Sequence, residues 1–222
     1  MRPGERKRVN IFRKMELGMS GWKYHSSVTV IALAVAILSL LPNNVMRGGW
    51  SWSQDWMWFI VAIAGVAIIR YSCDSIEISS PVRIFTIMPL VLQIILTLIR
   101  LLETNDVLWI SSLILQTWAA TAFGYILAVA LDRKAGVKIS NSWRLLFALM
   151  FACAFGGLYI FFMFANLWFT GYPVYNYDLI LFADRIEMNK RLMTPPMVAT
   201  FGSIIATVFL RALTKKPKEI SP

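Results

Sequence analysis

The amino-acid sequence predicts an all-α, polytopic integral membrane protein: a bundle of six transmembrane helices with both termini cytoplasmic. Three observations carry that prediction. Residues that are apolar or aromatic make up 58% of the 222 and charged residues only 15%, with a mean hydropathy of +0.62, so a bilayer is the expected solvent. The apolar residues gather in six runs, each near the roughly 20 residues that a helix needs to cross about 30 Å of hydrocarbon. Only a helix satisfies its own backbone there. The basic residues fall between the runs, and their density alternates from one gap to the next.

The expected spans are about 24–41, 52–69, 84–102, 107–131, 143–169 and 197–213, forming one membrane domain, 24–213. A basic segment, 1–23, precedes it and a basic tail, 214–222, follows. Within the first segment, RKRVNIFRKMELGMSGWK mixes a cation cluster with Ile11, Phe12, Met15 and Leu17. Such a segment favours anionic inner-leaflet headgroups, at about 1 kcal/mol per cation near the surface. A helix docking on a partner is the alternative reading of it.

The first span follows a basic region, as a signal peptide would, but LPNNVMRGG offers no small-x-small cleavage site, so the span is read as an uncleaved anchor. GGWSWSQDWMWF then enters the second span as an interfacial belt, because Trp favours the headgroup level. The loop IRYSCDSIEISSPVR is too short for a domain. In the hairpin of the third and fourth spans, Gln93 and Gln116 lie at similar depth and are expected to reach each other, with Thr97, Thr117 and Thr121 extending a polar strip. A polar side chain in hydrocarbon seeks a partner, and such a bond is worth about 0.6 to 2 kcal/mol. The strip is therefore either interhelical glue or a candidate polar path.

Small residues at four-residue spacing mark where helices approach closely. The fourth span carries Ala120, Gly124 and Ala128, the fifth carries Gly156 and Gly157 four residues after Ala152 and Cys153, and the sixth carries Gly202 before Ala206. These three spans are expected to form the tight centre. The last outer loop, YNYDLILFADRIEMNKRLMTPP, repeats Leu179, Phe182, Ala183 and Ile186 at helical spacing. It reads as a short interfacial amphipathic helix, capped by Asp178 and stopped by Pro195 and Pro196. Its Asp178, Asp184 and Glu187 form a candidate outer-face acidic site, which Arg185, Lys190 and Arg191 are placed to neutralise.

Orientation follows from the cations. With six spans, 17 of the 22 Lys and Arg residues fall on the side of the termini and 5 on the other. Lys and Arg resist translocation, so the rich side is cytoplasmic. Trp50, Trp52, Trp56, Trp58, Trp109 and Trp168 then lie at the outer interface, Trp22 and Trp143 at the inner one, and Trp118 at depth.

No ionisable residue falls deep within a span. Arg70 and Arg100 sit at span ends, from which they snorkel to the headgroups; Asp106 and Asp132 flank the fourth span; Asn166 is one turn from the outer surface. That pattern argues against a proton relay or an intramembrane protease, which place such groups at depth. The single histidine, His25, has no second ligand at metal spacing, and no cofactor or metal is expected. Cys73 and Cys153 are assigned to different depths, too far apart for a disulfide. The sequence contains no G-x-S-x-G, H-E-x-x-H or Walker motif. The net charge of +10 is dispersed among the loops rather than gathered in one stripe, which disfavours nucleic acid.

The expected function is that of a non-catalytic multi-pass protein of the plasma membrane with a structural, assembly or interaction role. Its partners are the bilayer, anionic inner-leaflet headgroups, and a membrane-protein partner or second copy. One alternative is a small transporter or channel with a path near Gln93 and Gln116. The other is a membrane enzyme acting on lipid at the outer interface through Asp178, Asp184 and Glu187.

Overall fold

The computed structural model describes residues 21–39, 56–72, 78–102, 106–136, 138–170 and 185–214. The basic segment before residue 21, the first outer loop, Cys73, Asp178, Asp184 and the tail after residue 214 lie outside the described residues. Those described form six helices and no strand: α1 (Gly21–Ser39), α2 (Trp56–Ser72), α3 (Ser80–Leu102), α4 (Asp106–Ala135), α5 (Asn141–Thr170) and α6 (Arg185–Thr214). Four contain segments long and apolar enough to cross a membrane: Ser80–Ile99, Ile110–Ala135, Asn141–Leu158 and Pro196–Thr214. The apolar segments of α1 and α2, Tyr24–Ser39 and Trp58–Ser72, are shorter.

Local chemistry sets several helix ends. At the start of α3 the Ser79 carbonyl accepts the Arg83 N–H at 3.0 Å, and Pro81 occupies the first turn, where its missing donor is least needed. The helix therefore begins before the expected residue 84. Gly136, with φ 67°, ends α4 in the left-handed region that glycine enters without a Cβ penalty. Ser140 then caps α5: its carbonyl accepts the Arg144 N–H at 3.1 Å and its Oγ the Trp143 N–H at 3.5 Å.

One boundary departs from the sequence reading. Pro195 and Pro196 do not stop a separate amphipathic helix; α6 runs through both, from Arg185 to Thr214. Each proline removes an N–H and leaves a carbonyl one turn earlier without its helical partner. Those carbonyls belong to residues 191 and 192, ahead of the apolar segment Pro196–Thr214, so helical pairing inside that segment is not what the prolines remove. Thr200 Oγ1 adds a bond to the Pro196 carbonyl at 2.8 Å.

Helix α4 is the hub, packed against α2, α3, α5 and α6, while α1 lies on α2 and α3, and α5 and α6 pair with each other. The α4 span is 72% buried, and those of α5 and α6 only 22%. Lipid is as apolar as leucine, so close backbone approach must supply much of the cohesion. At Gly65 on α2 the ring of Phe123 from α4 fills the space of the absent side chain: a Cβ would stand 2.3 Å from Phe123 Cζ. At Gly124 it would stand 2.9 Å from Phe151 Cβ and 3.1 Å from the Ala148 Cα on α5, and at Gly202 3.2 Å from Thr117 Cγ2 on α4.

Ala120 and Ala128 are buried with Gly124 on α4, and Gly156 is buried on α5. Gly157 is not a packing residue, since it is exposed and a Cβ there would meet nothing within 4 Å. It stands one residue from Gly156, about 100° around the helix, and so faces away from the contact.

Candidate functional site

Polar side chains collect in two places along α4. The first lies within the half of the bundle that holds the C-terminal end of α3 and the N-terminal ends of α2 and α4. There Trp58 Nε1 donates to Ser112 Oγ at 2.9 Å, Ser112 Oγ donates to Gln93 Oε1 at 3.3 Å, and Gln93 Nε2 donates to Thr97 Oγ1 at 3.2 Å. All four side chains are buried. The bonds run in one donor direction across α2, α4 and α3, an arrangement in which each bond polarises the next.

Gln93 therefore pairs with Ser112 and Thr97 and not with Gln116, as the hairpin spacing had led one to expect. Gln116 is buried one turn further along α4 than Ser112, where it lines a small cavity toward α5 and α6 with Leu113, Thr117, Ala152, Phe155, Gly156 and Ala199. The cavity volume is about 20 Å³, room for about one water. Thr117 and Thr121 bond their own helix, to the carbonyls of Leu113 at 2.9 Å and Thr117 at 2.8 Å. Threonine does this readily in apolar helices, and neither hydroxyl extends the Gln93 chain. Close by, Cys153 Sγ of α5 lies 3.4 Å from Ser203 Oγ of α6.

The second collection ties the basic end of α4 to α5 and α6. Asp132 forms an ion pair with Arg144 across the α4–α5 turn and also accepts the Ile139 N–H at 3.0 Å. Tyr125 Oη donates to Asn141 Oδ1 at 3.0 Å, and Asn141 Nδ2 donates to Thr214 Oγ1 at 3.1 Å. Across the bundle at the same end, Lys134 Nζ lies 3.9 Å above the Tyr71 ring of α2. Nearby on α1 and α3, the Arg83 guanidinium lies 5.3 Å from the centre of the buried Tyr24 ring, and Arg83 Nε donates to the Ile78 carbonyl at 2.6 Å. His25 is buried against Tyr24, with ring centres 5.4 Å apart.

Two members of the first network escaped the sequence reading. The sequence places Trp58 in the interfacial belt, but its indole is only 1% exposed and points into the bundle. The available signal is Ser112 in the apolar run of α4, a hydroxyl able to bond a neighbouring helix as well as its own. Of the outer-face acidic site, only the backbone of Glu187 is described, as part of α6. Among the described residues, no three His, Cys, Asp or Glu gather in a way that suits a metal ion.

No protein-family model, curated protein or solved structure matches this chain.

Proposed function

We propose that the chain is a six-span protein of the plasma membrane, with both termini cytoplasmic, acting as a structural, assembly or interaction component without catalysis. The observation that carries this reading is the Trp58–Ser112–Gln93–Thr97 chain, whose polar groups hold three helices together instead of lining an open passage. The six-span count rests on α1 and α2 crossing as well, short as their apolar segments are. The distribution of 17 cations against 5 supports that count, since fewer or more crossings would mix rich and poor segments.

The interaction surface is the outward side of α6, where Phe201, Ile205 and Phe209 recur one turn apart and stand exposed. They contrast with the hub helix, which is enclosed by its neighbours. A photo-crosslinking amino acid at each of these positions in native membranes, with Val30 and Ile37 of α1 as comparison sites, tests the role. Discrete protein adducts from α6 are expected, and α1, whose Val30 and Ile37 are as exposed, shows whether adducts follow exposure alone. Lipid adducts alone from both helices remove the interaction reading.

Transport through the Gln93 and Gln116 region has one observation in its favour, the cavity beside Gln116. New cysteines at Gln93 and Gln116, in a Cys73→Ser, Cys153→Ser background, report on it through a membrane-impermeant thiol reagent. Reaction at both sites makes transport the better reading; protection of both leaves the structural one. Lipid chemistry through Asp178, Asp184 and Glu187 stands as a third reading, and it fails if Asp184→Asn leaves lipid turnover by the purified protein unchanged.

A further inference from the structure

Where α4 ends and α5 begins, the two helices and their connecting turn enclose a groove of about 530 Å³, within the size range of small-molecule sites. Its walls are apolar, built from Leu131, Leu146, Phe147 and Met150, with Trp143 beside them and Lys138 at the mouth. Met150 is 62% exposed and Trp143 66%. Exposed apolar side chains are ordinary on a helix that faces lipid. This place differs in being concave and in carrying a cation at one end.

The charges around the mouth are unequal in availability. Arg144 is engaged by Asp132, and Lys134 stands over the Tyr71 ring. Lys138 is exposed and has neither an ion pair nor a hydrogen bond among the described residues. The groove therefore joins an apolar trough, sized for part of a hydrocarbon chain, to an ammonium group free to meet an anion. The N-terminal end of α5 opens at the same mouth through Ser140 and adds its dipole to the attraction.

We infer that this groove is a binding site for one anionic phospholipid, an acyl chain lying along Leu146, Phe147 and Met150 and the headgroup phosphate against Lys138. The inference rests only on the membrane-embedded part of the functional reading and needs no protein partner. Trp143, an amphipathic ring at the headgroup level, closes the side of the site where chain and headgroup meet. Basic pockets between membrane helices recognise anionic headgroups through this same pairing of charge with an apolar trough.

The test uses the purified full chain, monodisperse in detergent, with phosphatidylglycerol or phosphatidylcholine of identical acyl chains, the bound lipid being counted by native mass spectrometry. Wild type retains phosphatidylglycerol over phosphatidylcholine, and Lys138→Gln lowers phosphatidylglycerol retention about five-fold, as expected for one cation near a membrane surface. Phosphatidylcholine retention stays the same. A second measurement locates the lipid: phosphatidylglycerol with brominated acyl chains quenches more fluorescence in wild type than in Trp143→Phe, and the excess falls away in Lys138→Gln. Equal retention of the two lipids by wild type, or unchanged retention in Lys138→Gln, overturns the inference. So does release of the lipid by millimolar inorganic phosphate, which would make the site one for a free anion. Failure here leaves the crosslinking result on α6 untouched, because that experiment reads protein adducts on a different face.

Discussion

Trp58 of α2 gives its indole N–H to the Ser112 hydroxyl of α4 at 2.9 Å, and Ser112 passes its own proton toward Gln93 of α3. One serine thus receives from one neighbour helix and donates to another. Trp58→Phe removes the donor but keeps a ring to fill most of the space, and Ser112→Ala removes the middle of the chain. In a double-mutant cycle read by reversible unfolding in mixed micelles, the pair is expected to show a coupling of about 0.6 to 1.7 kcal/mol. Additive single-mutant effects would mean that the bond contributes nothing to stability.

The three helix contacts at glycine differ in what opposes a methyl group, and that difference orders the expected effects. At Gly124 part of the obstruction is the Ala148 backbone, which no side-chain rotation relieves. At Gly65 it is the Phe123 ring, which is large but belongs to a side chain. Gly124→Ala and Gly65→Ala are each expected to lose about 1 to 3 kcal/mol through overpacking, less whatever the better helix propensity of alanine returns. Adding Phe123→Leu should restore part of the loss in Gly65→Ala and none in Gly124→Ala. Thermal unfolding of the four variants in detergent decides it, and equal rescue of both would show that Phe123 is not the obstructing group.

Gly157 supplies the opposite sign. With open space around its missing Cβ, Gly157→Ala gains helix propensity without a clash and should stabilise by up to about 1 kcal/mol. A lower melting temperature for this variant would show that the glycine is needed for a close approach after all.

These contacts also show how far the sequence could be read. The apolar runs located the helices, because the bilayer demands length and apolarity together, and Gly124 and Gly202 stood out as small residues at four-residue spacing. Gly65 did not, for its partner is a phenylalanine on another helix, and no pattern local to α2 announces it. Gln93 and Gln116 were paired by depth alone. Depth does not say which neighbour a side chain meets: Ser112, one turn from Gln116 on α4, bonds Gln93, while Gln116 lines a cavity toward α5 and α6. Trp58 was misassigned for a related reason: an indole near a helix end serves equally well at the headgroups or inside, and only the hydroxyl of Ser112 decides between them.

At the α4–α5 turn, Asp132 performs two tasks, pairing with Arg144 and accepting the Ile139 N–H. The two can be separated. Asp132→Asn loses the charge but keeps an oxygen for the amide, whereas Asp132→Ala loses both. The expected order of melting temperatures is wild type above Asp132→Asn above Asp132→Ala, with the first gap shrinking as salt is added and the second unaffected by it. An identical melting temperature for the two variants would assign the whole effect to the ion pair.

The continuity of α6 through Pro195 and Pro196 is open to direct measurement, since it distinguishes one long helix from a surface helix followed by a separate span. In an unbroken α-helix, spin labels 18 residues apart are separated by about 27 Å along the axis. With Glu187→Cys and Ile205→Cys in a Cys73→Ser, Cys153→Ser background, pulsed electron resonance should return one narrow distance near that value. Pro195→Ala with Pro196→Ala supplies the two missing donors and should leave the distance unchanged, because the helical path already exists. A hinge at the prolines would give a shorter, broader distribution that sharpens when they are replaced. That result would return Glu187 to a surface helix of its own, lying beside the membrane instead of rising from it.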